Sequence, residues 1–190
     1  AAQGRLPEAI NEISIAQHND PLSFIIHTAA GVIHWQAGQY EKAFELATNV
    51  IEMAPWFWLA HAVQGLVYEQ WEAFDDAIAA FQKANELAGT KSSTLGMGML
   101  GHAYAIAGKK NQSLDVLESL DNRAAESYVS PFDRAIIHTG LNNYDAAFEW
   151  LKKAVAERSS WIVLTNVDPR FAELRQDSRF SEIKELMRME

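Results

Sequence analysis

Alanines 9, 43 and 77 recur at intervals of 34 residues, as do Gly31 and Gly65 and also Pro21 and Pro55. Further along, Gly101 follows Gly65 by 36 residues and Ala147 follows Ser113 by 34. A period of this length accommodates two helices and their turns, so each repeat is a helical hairpin that buries its apolar face only against its neighbours. The chain is therefore expected to be all-α, a right-handed superhelical solenoid of antiparallel helix pairs with a helical cap at its C-terminal end.

The clearest copy is PWFWLAHAVQGLVYEQWEAFDDAIAAFQKANELAG, residues 55–89. Small Gly65, Ala77 and Ala84 alternate in it with large Tyr68, Phe74 and Phe81. Small residues belong where two antiparallel helices cross, because a larger side chain there forces the backbones apart; Gly31 and Ala43 do this one repeat earlier. Read in order, residues 5–18 are the second helix of a half repeat, with Leu6, Ala9, Ile10, Ile13 and Ala16 on one face. Asp20-Pro21 is expected to end that helix and to start the next. Full repeats follow at 22–53 (helices 22–37 and 40–53), 56–88 (56–71 and 74–88) and 92–120 (92–107 and 110–120), the last after a longer linker at 90–93. Residues 121–129 break the helical pattern and read as a connection. Ser130-Pro131 with Asp133 starts a divergent fourth repeat over 130–157. Beyond it, 160–190 reads as capping helices: a short one from Asp168-Pro169 and a last one over 178–189. The whole of 1–190 is thus taken as a single array. Its opening, AAQGRLPEAI, has the look of mid-repeat, so a segment cut from a longer protein is expected.

Composition narrows the function. A formal charge of −9 argues against nucleic acid, whose phosphates need a basic face. No apolar run reaches the ~18 residues that span a bilayer. The chain has no cysteine, which excludes disulfides and thiolate zinc sites. That favours a reducing cytoplasm, with a periplasm as the alternative if the parent chain is membrane-anchored.

Gly65, Tyr68, Phe74, Ala77, Phe81 and Ala84, in several registered copies, closely resemble the tetratricopeptide repeat consensus. His27 and His61 stand where that motif often has tryptophan, and Asn142 where the fourth copy calls for glycine. The C-terminal part resembles a narrower group. Ser130-Pro131-Phe132, Ala147-Phe148-Glu149-Trp150-Leu151 and the tail Asp168-Pro169-Arg170-Phe171, Leu174-Arg175-Gln176-Asp177-Ser178-Arg179-Phe180 are similar to the repeat region of bacterial signalling proteins. In those proteins it is fused to winged-helix transcriptional regulators, nucleotide cyclases or serine/threonine kinases.

The resemblance implies that first helices line a concave groove. Its register places there Ile25, Thr28, Val32 and Trp35, then Leu59, Ala62, Leu66, Glu69 and Gln70, then Leu95, Met99 and His102, with Phe132 and Ile136 from the fourth repeat. A groove that clamps a peptide carboxylate uses Lys, Arg and Asn, since a buried anion needs charged donors. This set has none of them, and suits an apolar or amphipathic segment held by area and by Met and Trp anchors.

Other motifs carry less. Gly96-Met97-Gly98-Met99-Leu100-Gly101 matches the dinucleotide fingerprint, which requires a preceding strand that the polar residues before it do not form. None of the six histidines has paired metal-ligand spacing, and His34 and His138 fall in the register of Tyr68 and Tyr104, as packing residues with a polar tip. Asn111-Gln112-Ser113 is a glycosylation sequon whose serine falls at a buried small-residue position. Trp56-Phe57-Trp58 reads as a helix opening that packs between repeats, with an exposed ligand shelf as the other reading. No catalytic, cofactor or metal residues are assigned. The expected function is a non-enzymatic protein or peptide scaffold, with homodimerisation that brings fused output domains together as the alternative. A small-ligand receptor or enzyme using Trp35, Glu69 and His102 is the third reading.

Overall fold

A computed structural model describes residues 3–89 and 94–189, and among these every regular element is a helix. The linker expected at 90–93 lies outside the described residues. The Cα framework forms two compact units, which divide at residues 93 and 94.

The first unit contains α1 (Leu6–Asn19), α2 (Phe24–Gln36), α3 (Tyr40–Met53), α4 (Trp58–Gln70) and α5 (Phe74–Ala88). α2 pairs with α3 and α4 with α5 as antiparallel hairpins, and α1 packs on α2. The hairpins close where the small residues predict. A Cβ at Gly65 would lie 2.6 Å from the Phe81 ring, and one at Gly31 would lie 3.2 Å from Val63 Cγ1 and 3.5 Å from the Ala43 carbonyl oxygen. Ala43, Ala47, Ala60, Ala77 and Ala84 are fully buried beside them.

The second unit contains α6 (Leu95–Ile106), α7 (Lys110–Ala124), α8 (Pro131–Gly140), α9 (Tyr144–Ala156) and α10 (Phe180–Met189). Three short 3-10 turns, Ile162–Asn166, Pro169–Phe171 and Leu174–Gln176, join α9 to α10. α8 is the central element: seven consecutive residues, 131–137, are buried against α6, α7, α9 and the second 3-10 turn. Leu120, Val129 and Ile137 form a core cluster that Met97, Val116, Leu117 and Leu141 complete.

Several boundaries differ from the sequence reading. Asp20 caps the end of α1 rather than opening α2, and α2 starts at Phe24 with Ser23 Oγ accepting from the Ile26 amide at 3.4 Å. Both residues can cap a helix, but Ser23 directly precedes the apolar run, and the four residues 20–23 are needed to reverse the chain. The turn 54–57 does the same before α4, which begins at Trp58 and not at 56. α7 continues past 120 to Ala124. Its last turn has no apolar face to signal it. It is held instead by Arg134, which donates to the Leu120 carbonyl at 3.1 Å and to Asp121 Oδ1 at 2.8 Å. The expected helix after Asp168-Pro169 is a single 3-10 turn, and the last helix starts at Phe180 rather than 178.

Candidate functional site

In the first unit the expected groove residues divide by burial. Thr28, Trp35, Ala62, Leu66 and Glu69 are buried, Val32, Leu59 and Gln70 are half-buried, and Ile25 is 62% exposed. Trp35 is 2% exposed, and its indole N–H donates to the Leu66 carbonyl at 3.0 Å, joining α2 to α4. Thr28 Oγ1 turns back onto the Phe24 carbonyl at 2.7 Å. Tyr40 donates to Gln70 Oε1 at 3.1 Å, so that side chain belongs in part to the contact between the two hairpins.

The turns before α2 and α4 share a device. His27 Nε2 lies 2.9 Å from the Pro21 carbonyl and His61 Nε2 lies 3.0 Å from the Pro55 carbonyl. A carbonyl only accepts, so both imidazoles carry the proton on Nε2. Nδ1 of His27 is then the acceptor for Gln17 Nε2 at 2.9 Å. The two histidines that replace the motif tryptophan thus close the reverse turns. Beside them, the Phe24 ring meets Trp56 and Phe57 edge-on at 5.3 and 4.8 Å. Trp56 stays 60% exposed and Leu22 77% exposed.

In the second unit Leu95, Met99, His102, Phe132 and Ile136 are all buried. α6 lies close on α8 because its glycines allow it. A Cβ at Gly98 would stand 3.1 Å from the Asp133 backbone, and one at Gly101 would stand 2.6 Å from Ile137 Cδ1. The residues of the dinucleotide-like pattern are therefore turns of a packed helix. Ser113 of the sequon is fully buried, with Oγ donating to the Gly101 carbonyl at 2.9 Å.

Asp133 is 1% exposed, and Thr94 Oγ1 donates to its Oδ2. Burial pushes its carboxyl up to about 6, against the opposing pull of the Thr94 hydrogen bond and of the Arg134 and Arg170 charges. Burial likewise holds His138 below the usual imidazole range.

A crevice of about 420 Å³ opens at the C-terminal ends of α6 and α8. Its lining includes His102, Thr139, Tyr144, Pro169, Arg170 and Glu173. The Asp168-Pro169-Arg170 tripeptide builds one wall: Asp168 Oδ1 accepts from the Arg170 amide at 2.9 Å, and the Arg170 guanidinium grips the same carboxylate at 2.6 Å through Nη2. Tyr144 donates its one hydroxyl proton to Glu173, and Asn142 Oδ1 lies 3.2 Å from the same oxygen. Of these residues the sequence reading singled out His102 for the groove. Asn142 and the Asp168–Arg170 pair were noticed only as motif positions, and nothing in the local pattern joins Tyr144 to Glu173, 29 residues away.

Antiparallel helical hairpins in 34-residue register, closed by glycine and alanine at their crossings, define a helical-repeat protein. Residues 1–55 and residues 60–91 each match a family model described as tetratricopeptide repeat. The chain thus contains tetratricopeptide repeats, which support protein–protein interaction and are typically non-catalytic. No curated protein matches it. Among the described residues no helix is long and apolar enough to cross a membrane.

Proposed function

We propose that the hairpin array captures an apolar or amphipathic segment of a partner protein, as the regulatory part of a larger bacterial signalling or transcription-regulatory chain. The observation that carries this reading is the accessible part of the expected groove in the first unit. Ile25 is exposed, Val32, Leu59 and Gln70 are partly so, and none of them is basic. Such a surface holds a ligand through apolar area rather than through a carboxylate clamp. The buried members of the set, Trp35 and Leu66 above all, support the groove by fixing α2 against α4.

Leu66 is buried, so a charge placed there tests folding and not capture. Ile25→Glu is the better probe, being a solvent-facing change. A random peptide library selected on the immobilised chain should yield sequences rich in apolar residues, and Ile25→Glu should lower their affinity at least tenfold with helical circular dichroism unchanged. Retention of affinity in that variant removes the groove.

Self-association has separate support. α1 has no buried residue, and Ile15, Leu22, Ile25 and Trp56 are exposed large apolar side chains in this unit. Exposed apolar residues of this kind also suit a contact between copies, which would bring fused output domains together.

A further inference from the structure

The crevice of the second unit shares only His102 with the expected groove, and its charge balance selects a ligand. Two helices end on it. Ala105 and Ile106 are the last residues of α6, Thr139 and Gly140 those of α8, and all four line the crevice. A helix C-terminus carries roughly half a negative charge on its outward carbonyls; those of Ala105 and Thr139 accept from the Gly108 and Asn142 amides at 3.1 and 3.0 Å, and those of Ile106 and Gly140 lie beyond them. Glu173 adds a carboxylate, exposed at the rim.

The basic wall residue does not cancel this. The Arg170 and Asp168 side chains are 4% and 2% exposed and pair at 2.6 Å, so together they contribute little net field. Arg175 is also turned inward, its Nη1 donating to the Thr165 and Asp168 carbonyls at 2.9 and 2.6 Å. Tyr144 gives its proton to Glu173, and that bond pushes the phenol up to about 12, so the pair keeps one negative charge. The balance favours a cation that brings several N–H donors. Ala105, Ile106 and Pro169 supply apolar wall beside these acceptors, which suits a methylene chain behind the charged head. At about 420 Å³ the space is within the usual range for small-ligand sites.

We propose that this crevice binds an alkylammonium group, with its methylenes on Ala105, Ile106 and Pro169 and its N–H donors on Glu173 and on the last carbonyls of the two helices, those of Ile106 and Gly140. The same chemistry is offered by a lysine side chain of a partner segment and by a free amine, so the test uses both.

The intact chain is titrated by calorimetry with n-butylamine, with the peptide acetyl-Ala-Lys-Ala-amide, and with that peptide acetylated on its lysine. The amine and the lysyl peptide should bind saturably, and the acetylated peptide at least tenfold more weakly. Glu173→Gln should weaken binding at least tenfold, while Glu149→Gln, an exposed carboxylate outside the crevice lining, should leave it unchanged. Tighter binding of the peptide than of butylamine assigns the site to a partner's lysine, and the reverse order assigns it to a small amine. The proposal is overturned by no saturable binding of either up to about 10 mM, by equal binding of the acetylated peptide, or by wild-type affinity in Glu173→Gln.

Discussion

Asp133 shows how one residue can carry a cost that its unit must offset. It sits at the third position of α8, where a carboxylate commonly caps its own helix, yet it accepts instead from Thr94 at the start of α6. Its Oδ1 has no hydrogen-bond partner among the described residues. With the folded value raised to about 6 from an ordinary 3.8, the protonated form is favoured in the folded state. The stabilisation is complete below the unfolded value and is lost as pH rises through about 6; two units correspond to about 3 kcal/mol. Tyr128, Arg134 and Arg170 are the titratable groups whose charges couple to it. Asp133→Asn keeps an acceptor for Thr94 and removes the charge. Urea unfolding of the variant should show higher stability at pH 7 and little difference at pH 4. Parallel profiles for the two proteins across that range would dismiss the account. Sequence inspection marked Asp133 only as a helix-start residue, because its partner is 39 positions away in another helix. Trp35 is a similar case: its apolar register was legible, but not that its N–H is consumed 31 positions along the chain at Leu66.

At the scale of elements, the ends of the first helices share one conformation. Gly38, Glu72, Gly108 and Asn142 follow one another in repeat register, each with positive φ, of 74°, 57°, 73° and 56°. Glycine adopts this region without a Cβ clash and asparagine tolerates it, whereas glutamate pays about 1 kcal/mol or more. Glu72 is exposed, and Glu72→Gly should raise the unfolding free energy of the first unit by about 0.5–1 kcal/mol, measured by denaturant titration. A destabilised variant would mean that the Glu72 side chain contributes more than its backbone costs. The departure noted at Asn142 thus has a physical reason in the sequence itself. The helices themselves were legible because spacing of small and large residues reports where backbones approach, as Gly65 against Phe81 confirms. The starts of α2 and α4 were displaced by two residues because proline marks a turn without fixing which residue after it begins the helix. The last turn of α7 was missed since Arg134, and not an apolar stripe, holds it.

Charge is the property that belongs to the whole molecule, and it is unevenly distributed along the sequence. Residues 3–93 carry four Lys or Arg against eleven Asp or Glu, a net of −7 out of the total of −9. An excess of this size repels further copies and attracts basic partners at low ionic strength, and salt weakens both effects. The two readings of the accessible apolar residues on the first unit therefore respond to salt in opposite directions. Capture of a basic amphipathic segment weakens as the field is screened, while contact between copies through Leu22, Ile25 and Trp56 strengthens once their mutual repulsion falls. Raising sodium chloride from about 0.05 M to about 0.5 M shortens the screening length to less than half. The expected outcome is a monomer by light scattering at both concentrations, with affinity falling as salt rises for those library-selected peptides that carry basic residues beside their apolar ones. A dimer that forms only at the higher salt, and that Ile25→Glu abolishes, would transfer that surface from partner capture to self-association.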